Sequence, residues 1–261
     1  MKIQNSNTSL LNSIEQKQTK LNQQLANGKR INSAADDAAG LQIINRLNSQ
    51  QEGYNQASRN AYDGISYSQT ADSALSGVND AVSRIRELSI QAGNGALSDT
   101  DRQALQEEVS QLQTQISDTF EKTTFGGAKL FSGESTSFQV GADAVTTQSA
   151  NFTDGGFAAG ILSVDISTQA GAQSAITAAD DVSKNLGSER AKLGAFENTL
   201  SSTIRGLGTQ AENIAASQSR IEDTDYAKAI TEKTANDILS QASIALRGQA
   251  NQNAANVLGL L

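Results

Sequence analysis

The sequence predicts a mainly α-helical fold: long antiparallel helices paired as coiled coils, with a small β-hairpin element in the middle of the chain. Three observations carry this expectation. Apolar residues recur at helical spacing through roughly the first 120 and the last 90 residues, while the stretch between is short and rich in Gly, Ser and Thr. Pro is absent from all 261 residues, against a usual share of about 5%. Interior Pro removes a backbone donor and clashes with the preceding turn, so its absence suits long unbroken helices. Hydrophobic residues make up 37% of the chain and aromatic ones 4%, which suits one narrow apolar stripe per helix better than a thick core. Neither end can bury its stripe alone. The chain should fold back, pair its termini, and keep helical surface for other copies.

The first helical segment covers about residues 3–31. Leu11, Ile14, Leu21 and Leu25 follow 3–4 spacing, with Gln18 filling the register. Such a helix is marginal alone in water, so it is expected to be disordered until a partner covers it. Asn27-Gly28 breaks it. Ser33, with Asp36 three residues on, then reads as a capping box that opens a long helix. Its seam runs Leu41, Ile44, Ala61, Ile65, Ala71, Leu75, Val78, Val82, Ile85 and Leu88; fifty helical residues span about 75 Å. Gly93-Asn94-Gly95 ends it. Ser98 and Asp101 form a second capping box, and Leu105, Val109, Leu112, Ile116 and Phe120 mark the third helix.

From about 123 to 170 the character changes. Phe125-Gly126-Gly127 reads as a turn. Phe138-Gln139-Val140 and Ile161 to Ile166 alternate like short strands, with Gly155-Gly156 between them. Helical period returns near 172 and holds for about 50 residues, from Ile176 to Ile221. An acidic run, within Ser219 to Ala227, could cap a restarted helix. The last segment carries Ile230, Ile238, Leu239, Ala242, Leu246, Val257 and Leu260. Its apolar end, Leu260-Leu261, is expected to be buried in something.

Composition excludes much chemistry. With no Cys and no His, disulfides, thiolate metal sites, thiol nucleophiles and the commonest general base are gone. Asp36-Asp37 and Glu107-Glu108 are adjacent pairs, but neighbours on a helix point about 100° apart. They read as a cap and a solvated face. No cofactor, metal or enzymatic activity is expected. A net charge of −8 without a basic patch argues against nucleic acid. No stretch approaches the ~18 apolar residues of a membrane span, and the polar start Met1 to Asn7 argues against a cleavable signal peptide. Zero Cys suits a cytosolic protein, and equally a secreted one that travels unfolded.

Several segments are specific in themselves. Asn32 to Leu41 (NSAADDAAGL), Asn60 to Ala71 (NAYDGISYSQTA), Arg84 to Gln91 (RIRELSIQ), Ser219 to Ala227 (SRIEDTDYA) and Gln249 to Leu258 each resemble signatures of the bacterial flagellins. The resemblance spans nearly all of 8–131 and 176–261, in order, with a short middle. It implies an inner core domain of residues 1–32 with 226–261, and an outer helical domain of 33–225 carrying the hairpin at about 123–170. It implies a structural subunit that polymerises with itself into the flagellar filament for swimming. Such subunits leave the cell unfolded through the flagellar type III export apparatus and sit outside the bacterium. The implied partners are filament cap and hook-junction proteins, an export chaperone on the final residues, and an animal Toll-like receptor.

Two sets of residues follow as candidates. Leu11, Ile14, Leu21, Leu25, Leu239, Ala242, Leu246, Val257 and Leu260 are expected to build the core domain: the two terminal helices pair, and the apolar surface left over meets other copies. Arg84, Arg86, Leu88, Gln91 and Glu108 match positions at which Toll-like receptors recognise flagellins; subunit contact is the expected primary role, with Arg84 and Arg86 pairing carboxylates of another copy. Dense Ser and Thr between Ser132 and Thr153 read as solvent-facing loop polarity and as a possible site of O-glycosylation. The rival readings are a hook–filament junction protein and a soluble coiled-coil adaptor that stops at dimers. The full Ser219 to Ala227 motif favours the filament subunit over the first.

Overall fold

The computed structural model of the chain describes residues 2–142, 147–153 and 157–258. Among these residues six helices dominate: α1 (Lys2–Asn27), α2 (Ala38–Ala92), α3 (Asp99–Lys122), α4 (Phe157–Leu162), α5 (Gln169–Glu222) and α6 (Tyr226–Leu258). Four strands lie between α3 and α4: β1 (Thr124–Phe125), β2 (Ala128–Lys129), β3 (Ser132–Gln139) and β4 (Thr147–Thr153). The chain divides into two compact units, 1–51 with 212–261 and 52–211.

Unit 52–211 has its own apolar core. Leu75, Val78, Val82, Ile85 and Leu88 of α2 meet Val109 and Ile116 of α3 and Ala179, Val182, Leu186 and Leu193 of α5. Leu105, Leu112 and Phe120 complete the α3 stripe at half-buried positions, as the 3.6-residue period requires. Ser98 caps α3 through a full capping box with Asp101. Hydrogen bonds from the Ser98 hydroxyl and amide to one carboxylate oxygen favour the charged form of Asp101 and pull its pKa down.

The hairpins deserve a correction in one part. Gly126 and Gly127, both at positive φ, turn β1 into β2 as a two-residue primed turn. β3 pairs antiparallel with β4, Phe138 opposite Gln148. The segment 161–166, expected as a strand from its alternation, is instead the end of α4 and an irregular run. Its backbone finds partners on α3 rather than on a ladder: the Gln113 amide donates to the Ile161 and Val164 carbonyls at 3.0 and 2.8 Å, and Ile166 N–H donates to Gln106 at 2.7 Å. Ile161 and Ile166 are buried, which produced the strand-like pattern. Gly155-Gly156 lies outside the described residues. Phe138 packs edge-on to Tyr67 at 5.6 Å, and Gly64 leaves room for it beside Leu200.

A second correction concerns the start of α2. Ser33 does not cap it. Asp36 accepts from the Asn32 and Ser33 amides and the Ser33 hydroxyl, closing a turn before the helix. Asp37 is the cap, accepting from Gly40 N–H at 2.8 Å.

Candidate functional site

The unit formed by 1–51 and 212–261 holds the terminal helices, and its packing is asymmetric. α1 presents Leu11, Ile14 and Leu21 as buried residues, with Gln18, Gln24 and Leu25 half-buried beside them. α6 packs against α1, antiparallel: Tyr226 OH donates to the Leu25 carbonyl at 3.0 Å, and the Gln18 amide donates to Asp237. The residues of α6 that lose solvent are Ala229, Lys233, Asn236, Ser240, Ser243 and Ala250, with Asp237 beside them. They follow a 4–3 heptad line made of small and polar side chains.

The apolar residues of α6 face elsewhere. Ala235, Leu239, Ala242 and Leu246 form a second 4–3 line, one residue out of phase with the first and therefore about 100° around the helix. Leu239 is 53% exposed and Leu246 61%. Ile230, Ile238 and Ile244 are exposed as well. The two terminal helices pair, as expected, but not stripe to stripe: α1 buries Leu11, Ile14 and Leu21, while Leu239 and Leu246 of α6 are left exposed. The Val257 side chain and Leu260 lie outside the described residues. A groove of about 490 Å³ runs along this face, between Lys17, Leu21 and Gln24 of α1 and Glu232 and Ala235 of α6.

The register of α1 on α6 is set where the chain breaks. Gly28 sits at φ +71°, left-handed backbone that favours glycine, and a side chain there would meet the Tyr226 hydroxyl. Thr224 N–H donates to the Gly28 carbonyl and Arg30 N–H to that of Glu222, at 2.9 and 2.6 Å. Lys29 pairs with the buried Glu222 carboxylate at 2.5 Å. Asp225 caps α6 through Lys228 N–H. Sequence reading took Asn27-Gly28 and the acidic run as two separate breaks. They are one clasp, and only their pairing in space reveals it. Nearby, Lys20 pairs with Asp36 at 2.8 Å and, with the turn amides, lowers its pKa to about 2.

The second candidate set lies in unit 52–211. Arg84 and Gln91 are exposed on α2. Arg84 pairs with Glu87 and Glu108 at 3.1 and 2.8 Å, and these hydrogen bonds raise its pKa. Arg86 pairs with Asp180 at 2.7 Å. Both arginines thus have carboxylate partners within their own chain, where another copy's were expected. Leu88 is 1% exposed and belongs to the core, because its phase matches Ile85 and Ala92. It is not a surface residue of the isolated chain. One residue that sequence reading missed is Arg102. Buried at 6% exposure, its guanidinium donates to the carbonyls of Ala92, Asn94 and Leu97 at 2.8–2.9 Å. It stitches the α2–α3 turn. Of the Ser/Thr-rich stretch, residues 143–146 lie outside the described residues.

Among the described residues no helix is long and apolar enough to cross a membrane. A terminal helix pair that keeps a regular apolar line uncovered is the kind of surface at which other chains dock. Comparison with known proteins gives the family. The model of the bacterial flagellin N-terminal helical region matches residues 1–136, and that of the C-terminal helical region matches 176–261. The chain is 39% identical to the flagellin of Bacillus subtilis, covering 92% of this chain and 91% of that one. It is 40% identical to the flagellin of Halalkalibacterium halodurans (92% and 90%) and 38% identical to the flagellar filament 33 kDa core protein of Treponema phagedenis (92% and 90%). The crystal structure of Bacillus cereus flagellin aligns with a TM-score of 0.53 at 27% identity, over 61% of this chain and 94% of that one. A hook-associated protein structure from Vibrio parahaemolyticus shares the fold, with a TM-score of 0.63 at 16% identity, over 72% and 100%. The chain belongs to the bacterial flagellin family and is a structural subunit of the flagellar filament.

Proposed function

We propose that filament growth is driven by the α6 face that this chain leaves open. The observation that supports this is the exposure of Leu239, Ala242 and Leu246 on a regular heptad line beside a polar seam already used by α1. Burying that line against neighbouring copies removes apolar surface from water, and the contacts repeat because each copy carries the same face. In this reading residues 1–32 and 226–261 form the inner core of the filament and 33–225 the surrounding layer. Leu11, Ile14, Leu21 and Leu25 hold α6 in place, and Leu239, Ala242, Leu246, Val257 and Leu260 contact other copies.

The remaining roles follow the family. The chain is exported unfolded through the flagellar type III apparatus, with a chaperone covering the α6 end, and is added below a cap protein at the tip of a filament that starts on hook-junction proteins. Glycosylation of exposed serines on β3 would change intact mass. Exposed Arg84 and Gln91 with half-buried Glu108 form the surface a Toll-like receptor would read on free monomer; Leu88 supports that surface from inside.

The test is negative-stain electron microscopy after seeding with sheared flagellar fragments. The full chain should give long filaments of uniform width, and a chain lacking residues 226–261 should give none while keeping most of its helicity. Filaments from the truncated chain would overturn the role of α6. Persistent dimers or monomers of the full chain would turn the reading toward a junction protein or an adaptor.

A further inference from the structure

The sequence contains two Asn-Gly pairs, Asn27-Gly28 and Asn94-Gly95. An asparagine followed by glycine is prone to cyclise on its own backbone, because a glycine has no Cβ to hinder the approach of its amide to the carboxamide carbon. Both asparagines are exposed, so water reaches each. Their backbones differ, and the backbone decides whether the next residue's amide can reach the side chain.

Asn27 is the last residue of α1. A helical side chain points back toward the helix N-terminus, away from the amide of Gly28. The Asn27 carboxamide donates to Asn32 Oδ1 at 3.3 Å, and the Gly28 carbonyl is held by Thr224 N–H in the clasp. Asn94 lies between α2 and α3, outside either helix. Its N–H donates to the Gln91 carbonyl at 3.1 Å, and its carbonyl accepts from Leu97 N–H at 3.2 Å and from Arg102 Nη2 at 2.9 Å. Its side-chain Oδ1 accepts from Ala96 N–H at 3.1 Å. That bond closes an Asx turn, which folds the carboxamide back over the Gly95 peptide. The Gly95 N–H makes no hydrogen bond among the described residues.

We propose that Asn94 is a site of spontaneous covalent modification, in which it converts through a cyclic imide with Gly95 into isoaspartate and aspartate. The Gly95 nitrogen loses its proton to water and bonds to Asn94 Cγ. The Cγ–Nδ2 bond breaks, and the nitrogen leaves as ammonia. Charge develops on Oδ1, to which Ala96 N–H already donates, so the turn stabilises the intermediate. Water then opens the imide. Attack at Cγ restores the main chain and leaves an aspartate side chain. Attack at the main-chain carbonyl breaks its bond to the Gly95 nitrogen; the chain then runs through Cγ, and the old carbonyl becomes a free carboxylate. Arg102 Nη2 already donates to that oxygen, so this carboxylate forms against a guanidinium and the isoaspartyl product is favoured. Water is the only co-reactant. Either product adds one negative charge to the α2–α3 turn, and the step needs no second copy.

The test is incubation of the full chain at mildly alkaline pH, native and in urea, followed by peptide mapping. Mass spectrometry reads the gain of one mass unit at each asparagine, and electron-transfer fragmentation separates isoaspartate from aspartate. Losing one donor to a developing oxyanion costs about 100-fold or more in a buried site. This turn is open to water, so native Asn94 should convert about tenfold faster than native Asn27. In urea both are plain Asn-Gly pairs and their rates should converge. Native Asn94 that converts no faster than Asn27 overturns the proposal. Gly95 has no positive φ, and a Cβ there meets only Gln169 Nε2 at 3.9 Å, so Gly95→Ala keeps the turn and should slow conversion at position 94 by about tenfold through sterics alone. Undiminished conversion in that variant, with an unchanged melt, overturns the cyclic route. An isoaspartyl share no larger in the native chain than in urea overturns the role given to Arg102.

Discussion

Replacing Leu239 and Leu246 together by Ala should spare the monomer and cripple filament growth. The two side chains are 53% and 61% exposed, so at least half of each remains to be covered by another copy. A fully buried Leu contributes about 1.5–3 kcal/mol, which leaves about 1–1.5 kcal/mol per residue for assembly. Removing both costs about 2–3 kcal/mol, a rise in critical concentration of roughly 30- to 150-fold. The monomer loses little, because the truncated atoms already face water and Ala is at least as good a helix former as Leu. Sedimentation of seeded protein over a concentration series reads the critical concentration, and circular dichroism melts run on the same samples. A critical concentration within about threefold of wild type, far below the expected effect, would refute the assignment of this face to assembly. Lost monomer helicity would place the two leucines inside the chain's own fold instead.

Three other outcomes are expected. Arg102→Ala removes three charge-assisted hydrogen bonds and strands the carbonyl of the buried Ala92; the other two carbonyls can rehydrate, so the cost should be about 2–4 kcal/mol, read in calorimetry as a lowered melting temperature of the larger unit. The turn at Asn32 to Asp36 should loosen in acid: Asp36 has its pKa lowered from 3.8 to about 2 by Lys20 and the turn amides, so its stabilisation is full above pH 4 and is lost as pH falls through about 2. Amide exchange at Asn32 and Ser33 should track that window, and Asp36→Asn should abolish the dependence. In a receptor reporter cell, free monomer should activate and Arg84→Ala should reduce the response without lowering the melting temperature by more than a few degrees. Leu88→Ala empties a core position and should cost about 2–5 kcal/mol, so its effect on the reporter is separable from Arg84 by a melt; an inactive wild-type monomer would end the receptor reading.

Much of this architecture was legible in the residues. The 3.6-residue period placed α2, α3 and α5, because each buries its stripe in one core and the pattern has a single solution. The Ser98–Asp101 box was readable because both halves of the cap lie three residues apart. What failed was non-local. Ile161 to Ile166 alternates like a strand, yet its backbone is satisfied by Gln106 and Gln113 of α3, partners some fifty residues away that no local pattern announces. Leu88 fell in a surface motif by resemblance but in the core by phase, and the phase decides where a helical side chain points. The clasp at Gly28 and Glu222 needs two distant breaks to meet, and Lys29 beside Glu222 is not suggestive in either segment alone.

The one-residue offset between the two lines of α6 carries the functional logic of the terminal pair. Ala229, Lys233, Asn236, Ser240 and Ser243 give α1 a seam of small and polar groups, which approaches closely and is pinned in register by Gln18 on Asp237 and Tyr226 on the Leu25 carbonyl. Such a seam specifies alignment at a cost in stability. Rotating α6 by one residue, about 100°, would bring Leu239, Ala242 and Leu246 onto Leu11, Ile14 and Leu21. The monomer would then be a well-buried coiled coil, and the energy that neighbouring copies could recover would already be spent inside it. On the proposed assembly reading, the polar seam does more than tolerate a weak pair: it reserves the apolar line for contacts between chains, so that the terminal helices would be aligned in the subunit and fully buried only in the filament.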